Sequence, residues 1–193
     1  MNVLLLGPER PELMVFFKTC GDHVISTEDK LHSTSPLIQE VDFLVSYGYR
    51  HILKPAILDQ FPKYAINLHI SLLPWNRGAD PNLWSFLEDT PKGVTIHTLD
   101  RGIDTGDILV QQEVMLSANE TLKTSYEKLS LAAQGLLQRS WLDIRAHQIP
   151  PQPQAAGGSY HCLRDRQQYE HLLTHGWDTP VHNLIGKAKN REK

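Results

Sequence analysis

Residues 65–106 read AINLHISLLPWNRGADPNLWSFLEDTPKGVTIHTLDRGIDTG, and this stretch decides the fold. Ile66, Leu68 and Ile70 alternate with Asn67, His69 and Ser71. Period two is the pattern of a strand, in which successive side chains point to opposite faces, so Asn67 and His69 project side by side. Two glycine-marked turns follow, and then an acidic loop carrying Asp100, Asp104 and Asp107. A strand that ends on an amide and an imidazole is a candidate site as well as a core element.

On the N-terminal side of this strand, apolar runs alternate with helical patterns. Asn2 to Leu6 reads as a buried strand stopped by Gly7-Pro8, and a helix with Leu13, Met14, Phe16 and Phe17 on its apolar face runs to Gly21. His23 to Ser26 and Val41 to Ser46 are further strands, with short helices near Pro36 to Glu40 and Pro55 to Gln60. On the C-terminal side, Asp107 to Val114 reads as a strand. Glu120 to His147 is a long core-packing helix, with Leu122, Tyr126, Leu129, Ala133, Leu137 and Trp141 at helical spacing. Strands separated by helices imply a parallel α/β sheet with crossover helices. In such sheets ligands bind beyond the carboxyl ends of the strands. That rule brings Gly7, Ser46 to Tyr49 and Asn67 to Ser71 to one edge.

The Pro- and Gly-rich run from Ile149 to Gly158 reads as a linker. The chain is therefore expected to divide into a catalytic domain, 1–148, and a linker with a short helical tail, 149–193. The tail shows helical patterns at about Asp165 to Leu173 and Pro180 to Ala188, the second with Asp178 as its cap. At 193 residues and a net charge of −3, the chain fits one soluble domain without the basic footprint of a nucleic-acid binder. The opening MNVLLLG is too short for a signal-peptide core or a membrane span, so no membrane partner is expected and the cytoplasm is the expected compartment. Cys20 and Cys162 read as free thiols. No G-x-G-x-x-G follows a strand, which leaves NAD and FAD without support.

An imidazole titrates near neutral pH and suits a general base. An amide can donate to a developing oxyanion, a contribution of roughly 2.7–4 kcal/mol where it is made in the transition state. A carboxylate at Asp104, on a loop folded back over the strand end, can hold the imidazolium or orient a water. Together these groups suit acyl transfer to an amine without a covalent nucleophile; Ser71 lacks a nucleophile elbow. Plainer readings stand beside this one. Polar strand ends often only satisfy backbone groups. His97 fits a supporting role, Arg77-Gly78 fits a turn as well as an anion site, and Trp75, Trp84 and Phe86 fit packing. The Asp100, Asp104 and Asp107 cluster lacks a calcium-loop pattern and the histidines lack zinc spacing, so no metal is expected.

Three blocks in order, N-L-H-I-S-L-L-P-W-N-R-G (67–78), K-G-V-T-I-H-T-L-D (92–100) and G-I-D-T-G-D-I-L (102–109), resemble the formyltransferase family over roughly residues 41–114. That family includes glycinamide ribonucleotide transformylase, methionyl-tRNA formyltransferase and the sugar N-formyltransferases. The resemblance implies a Rossmann-like formyltransferase domain, a mostly parallel sheet flanked by helices, with 10-formyltetrahydrofolate as co-substrate. It assigns the catalytic trio to Asn67, His69 and Asp104. By the same resemblance Ser46, Tyr47, Gly48 and Tyr49, with Leu99, Asp100, Gly102 and Ile103, line the pteridine pocket. Trp75, Asn76, Arg77, Asp80 and Asn82 fall near the acceptor.

The chain departs from the family pattern in four places, one being a segment between the N-terminal strand and Val41 that is much shorter than usual. Ile70 stands where H-P-S-L-L-P has its first proline. Gly7-Pro8-Glu9-Arg10 replaces the glycine-rich phosphate loop of the purine enzyme, which argues against glycinamide ribonucleotide. The short tail leaves no room for the C-terminal barrel of the tRNA enzymes, which, with the negative charge, argues against tRNA. The resemblance therefore implies a nucleotide-linked amino sugar as acceptor and pairing into a homodimer. A formyltetrahydrofolate hydrolase and a shortened folate-binding module without turnover are the rival readings.

Overall fold

The computed structural model, which describes residues 1–189, runs β1 (Asn2–Leu6), α1 (Pro11–Thr19), β2 (His23–Thr27), α2 (Pro36–Gln39), β3 (Phe43–Ser46), α3 (Pro55–Leu58), β4 (Ala65–His69), β5 (Arg77–Gly78), α4 (Pro81–Leu87), β6 (Gly93–Thr98), β7 (Ile108–Glu113), α5 (Leu122–Arg145) and β8 (Tyr160–His161). Six strands form the main sheet in the order β2-β1-β3-β4-β6-β7, while β5 and β8 pair in a small parallel sheet of their own. The first four strands of the sheet are mutually parallel, as the alternation of strands and helices predicts. β6 and β7 leave the sheet mostly and not wholly parallel, as the resemblance implies: β6 runs antiparallel to β4, and β7 antiparallel to β6. The local pattern of a strand carries no direction, so this reversal is settled by pairing between distant segments.

The faces of β1 show how the layers form. Val3 and Leu5 join Phe17 of α1 and Trp141 of α5 in one buried cluster. Leu4 and Leu6 join Ile38 of α2 and Ile57 of α3 in another. A strand covered on both faces is apolar throughout, and VLLL is. In β4 the alternation has a different outcome. Ile66 and Leu68 pack into the α5 side, and Asn67 and His69 take the opposite face at the strand's carboxyl end.

Every α-helix from α1 to α4 carries Pro at its first turn, where the missing N–H costs nothing. Thr121 caps α5 in a reciprocal capping box with Thr124. The tail differs from the two helices expected there. Residues Leu163–Leu172, Gly176–Asp178 and Val181–Asn183 form 3₁₀ turns. Asp178 lies inside the second of these and caps nothing, because Pro180 takes the position before the third. The turns pack Tyr169, Val181 and Leu184 onto Leu83, Trp84 and Leu87 of α4. The Pro- and Gly-rich stretch before them lies along the domain: Gln152 exchanges backbone hydrogen bonds with Ile108 at 2.7 and 2.9 Å. No helix of the described residues is long and apolar enough to cross a membrane.

Candidate active site

Asn67 and His69 reach the edge where β3 and β4 end. The antiparallel β4–β6 register sets His97 directly opposite Asn67, and the loop between β6 and β7 folds back to bring Asp104 over both. Asn67 Nδ2 donates to Asp104 Oδ1 at 3.1 Å and lies 3.2 Å from His97 Nε2. Asp104 Oδ2 accepts from the Gly78 N–H at 2.9 Å and stands 3.6 Å from His69 Nδ1. His97 Nε2 is 3.4 Å from Asp104 Oδ1.

The two imidazoles have their tautomers set by backbone carbonyls, which can only accept. His69 Nε2 meets the Asn76 carbonyl at 3.0 Å. It must carry a proton there, which leaves Nδ1 as the basic nitrogen, facing Asp104. His97 Nδ1 meets the Thr98 carbonyl at 2.8 Å, so its Nε2 is the nitrogen free to accept from Asn67. Burial alone would raise the Asp104 carboxyl. The His69 imidazole, the His97 imidazole with its hydrogen bond, each attracting the carboxylate when protonated, and the Gly78 N–H outweigh it and hold the group well below the usual carboxylate range. Asp104 is a carboxylate throughout the neutral range, poised against a nitrogen that gains positive charge when it takes a proton.

The loop that delivers Asp104 is built for this position. Asp100 accepts from the Gly102 N–H at 3.0 Å and from Thr105 Oγ1 at 2.7 Å, closing the turn from inside. Asp104 itself sits in the left-handed region at φ 54°, a conformation that persists only when surrounding structure imposes it. Gln154 supplies part of that constraint, donating through Nε2 to the Asp104 carbonyl at 2.7 Å and the Gly106 carbonyl at 2.9 Å. Gly78, whose N–H meets Asp104, has φ 90°, and a Cβ there would stand 2.2 Å from the His161 carbonyl oxygen. No other residue fits that place.

A cavity of about 340 Å³ opens at this group. Ser46, Tyr47, Gly48 and Tyr49 line it from the end of β3, and Leu99, Asp100, Gly102 and Ile103 from the loop. Asn67, His69 and Asp104 lie on its wall. Gly7, expected at the same edge, packs beneath the Tyr47–Gly48 backbone instead. A second cavity, also about 340 Å³, lies between α4, α5 and the tail; Asp80 and Asn82 line it with Leu83, Leu122, Arg166 and Trp177. The two share Ile70, Pro81 and Tyr126 on their linings. Tyr126, placed by periodicity on the packing face of α5, therefore serves both cavities.

The segment read as facing the acceptor divides. Asp80 meets Arg166 at 3.1 Å on the wall of the second cavity. The Asn82 amide is spent on the Leu122 carbonyl at 2.9 Å and Ser125 Oγ at 3.1 Å, fixing α4 to α5. Arg77 lines a separate surface hollow with Ile103, Thr105 and Tyr160. Trp75 lines none of these spaces and is 38 % exposed. Asn76 is fully buried, with its side chain turned to Glu88, Thr90 and Ser159, and it reaches the site through its carbonyl alone. Sequence reasoning missed Gln154, Ser159 and Glu88, which lie at long separation in segments without a motif. Among the described residues no group of His, Cys, Asp and Glu has the arrangement of a metal site, and both cysteines are free.

Comparison with known proteins gives this geometry a context. The model of a family described as formyl transferase matches residues 27–140. Methionyl-tRNA formyltransferase of Syntrophus aciditrophicus is 40 % identical over 114 residues, 58 % of this chain and 36 % of that protein. The enzyme of the same name from Pelobacter propionicus is 31 % identical over 167 residues, 84 % of this chain and 51 % of that protein. The chain thus spans about half or less of the length of these curated relatives. The crystal structure of the formyltransferase PseJ from Anoxybacillus kamchatkensis, in complex with UDP-4,6-dideoxy-4-formamido-L-AltNAc and tetrahydrofolate, superposes with a TM-score of 0.95 at 55 % identity, covering 97 % of this chain and all of that one.

Proposed function

Because the chain belongs to the formyl transferase family, we propose that it transfers a formyl group from 10-formyltetrahydrofolate to the amine of a nucleotide-linked amino sugar. The observation that carries this reading is the basic Nδ1 of His69 held against the Asp104 carboxylate, beside the Asn67 amide, on the wall of an open cavity. The full-length likeness to PseJ, with its UDP-linked 4-formamido sugar and tetrahydrofolate, supports the choice of donor and acceptor.

The cavity between Ser46–Tyr49 and Leu99–Ile103 suits the folate: its apolar walls fit a flat ring, and loop backbone groups supply hydrogen bonds. The second cavity suits the nucleotide of the acceptor, which would cross Ile70, Pro81 and Tyr126 to bring its amine to His69. Trp177 and the leucines offer an apolar wall for a base, and Asp80 offers a carboxylate to hydroxyls. The folate supplies an electrophilic formyl carbon. As the amine attacks it, His69 Nδ1 takes the amine proton and Asp104 stabilises the imidazolium. Both Asn67 protons are already committed, one to Asp104 and one to His97. The oxygen that becomes negative takes over the proton given to His97, the weaker of the two acceptors. His69 can then return its proton to the departing folate nitrogen.

The exposed apolar side chains of the tail, Leu163 and Ile185, support pairing with a second copy, and the cytoplasm is the compartment this reading expects. A monomer mass in sedimentation at micromolar concentration removes the pairing. The chemistry is tested by incubating the protein with 10-formyltetrahydrofolate and a panel of UDP- and dTDP-linked 3-amino and 4-amino sugars, followed by mass spectrometry. A formylated sugar is the expected product. Formate released without any acceptor would identify a hydrolase, and folate binding without turnover would identify a binding module.

A further inference from the structure

The base nitrogen of His69 is selected by one backbone carbonyl, and that carbonyl is held by the Arg77 N–H of the same peptide, which donates to the Ser159 carbonyl at 3.0 Å, and by a buried polar network outside the catalytic trio. Asn76 sits in the left-handed region at φ 57°. Its N–H donates to Ser159 Oγ at 3.0 Å. Its side-chain amide donates to Glu88 Oε2 at 3.0 Å and approaches Ser159 Oγ at 3.4 Å. Its side-chain oxygen accepts from Thr90 Oγ1 at 2.8 Å. Ser159 in turn donates to Glu88 Oε2 at 2.6 Å. The Glu88 carboxylate is closed on its other side by His161 Nε2 at 3.0 Å, and the His161 ring lies flat on Trp84 at 3.6 Å. Burial would raise the Glu88 carboxyl; His161 and Ser159 outweigh it and keep the group ionised.

No member of this network lines either cavity, so none is placed to touch a substrate. What the network fixes is direction. A non-glycine residue at φ 57° reverts to a more favourable conformation unless it is held. Turning the Asn76 peptide would remove the acceptor from His69 Nε2. The neutral imidazole would then be free to place its proton on Nδ1, towards Asp104, where a carboxylate accepts strongly. In that tautomer the nitrogen facing Asp104 is no longer basic.

We propose that Ser159 and Glu88 are positioning residues for the transfer: they lock Asn76 so that its carbonyl keeps the proton of His69 on Nε2 and leaves Nδ1 as the base. This rests on the formyl-transfer reading for its kinetic consequence, and on the geometry alone for its structural one. The two are tested separately. With ¹⁵N-labelled histidine, the ring-nitrogen shifts of His69, assigned as those lost in His69→Asn, report the tautomer with no substrate present. The wild type is expected to show the Nε2–H form. Ser159→Ala is expected to show a mixture of tautomers and a kcat about tenfold lower, with both KM values within about twofold.

Glu88→Gln keeps an acceptor for Ser159 and Asn76 while removing the charge. It is expected to hold the wild-type tautomer and most of kcat, whereas Glu88→Ala behaves as Ser159→Ala. An unchanged Nε2–H form in a folded Ser159→Ala protein, whatever its kcat, would overturn the proposal. So would an unchanged kcat with a mixed tautomer. Should Ser159→Ala fail to fold, the comparison of Glu88→Gln with wild type still decides, since loss of the tautomer there contradicts a role through geometry. If no amine is formylated by the wild type, the tautomer measurement stands and the functional reading alone fails.

Discussion

Asp104 is the residue on which the site converges, and two consequences follow from its surroundings. Its carboxylate faces both imidazoles, takes the Gly78 N–H and accepts from Asn67. Asp104→Asn keeps the size and removes the charge, so the imidazolium formed on His69 loses its counter-charge. A fall in kcat of about 10²–10³-fold is expected in the transfer assay, and turnover within a few-fold of wild type would remove Asp104 from the mechanism. The second consequence concerns stability. The native carboxyl is held below an unfolded value of about 3.9. Its contribution is therefore present above that value and is lost as pH falls through the native one. In urea titrations the stability gap between wild type and Asp104→Asn should be widest at neutral pH and close in acid; a gap that grows in acid contradicts the assignment. Asn67 and His69 were legible because they lie two apart in a strand pattern. Asp104 was legible as a carboxylate on a loop that had to fold back over the strand end, but its partner was not, since its bond to Asn67 spans 37 positions. The Glu88–Ser159 bond spans 71 positions, and nothing local in a Pro- and Gly-rich run announces it.

At the scale of the element, α5 is where sequence and structure agree most fully, because a long amphipathic pattern has one physical outcome. The pattern from Glu120 to His147 becomes a helix from Leu122 to Arg145. Its start is fixed by Thr121, whose Oγ1 accepts from the Thr124 N–H at 3.2 Å, while Thr124 Oγ1 accepts from the Thr121 N–H at 2.9 Å. Thr121→Ala removes the Oγ1 half of the box, while the Thr121 N–H can still donate to Thr124 Oγ1, and is expected to cost about 1 kcal/mol in urea denaturation. The same turn carries Tyr126 on the wall of both cavities, so fraying it should also raise the acceptor KM. An unchanged denaturation midpoint would mean that the backbone bond from Leu122 to the Thr179 carbonyl, at 3.1 Å, suffices as an anchor. The short tail elements were less legible. Helical spacing over a few residues is satisfied equally by 3₁₀ turns, and Gly176 and Pro180 cut the run before an α-helix can propagate. β6 shows the complementary limit: its residues read as a strand, but its reversal relative to β4, which brings His97 to Asn67, exists only in the pairing.

For the whole molecule, the position of the site depends on two helical layers closing on one sheet, and Trp141 is the side chain that fixes α1 and α5 to one face of it. It is fully buried and meets the rings of Phe17 from α1 and Phe43 from β3, each edge-on at 4.9 Å between centroids. Its Nε1–H donates to Asp22 Oδ2 at 2.7 Å, and Asp22 is also held by Arg145 from the end of α5. One residue thus ties the first helix, a central strand, the β2 entry and the last helix. Trp141→Ala removes the largest fully buried side chain and leaves a cavity that these rigid neighbours cannot fill. A loss of about 3–5 kcal/mol is expected, seen as a lower urea midpoint with the slope unchanged. Trp141→Phe separates the two contributions: it keeps an aromatic ring against Phe17 and Phe43 but removes the donor to Asp22. Because Arg145 still pairs with that carboxylate, the Phe variant should lose clearly less than the Ala variant. Equal losses would place the stabilisation in the Asp22 hydrogen bond and not in packing. Since Trp141 lies far along α5 from Tyr126 and Thr121, a folded Trp141→Phe protein should keep its transfer rate, separating the strength of the core from the geometry of the site.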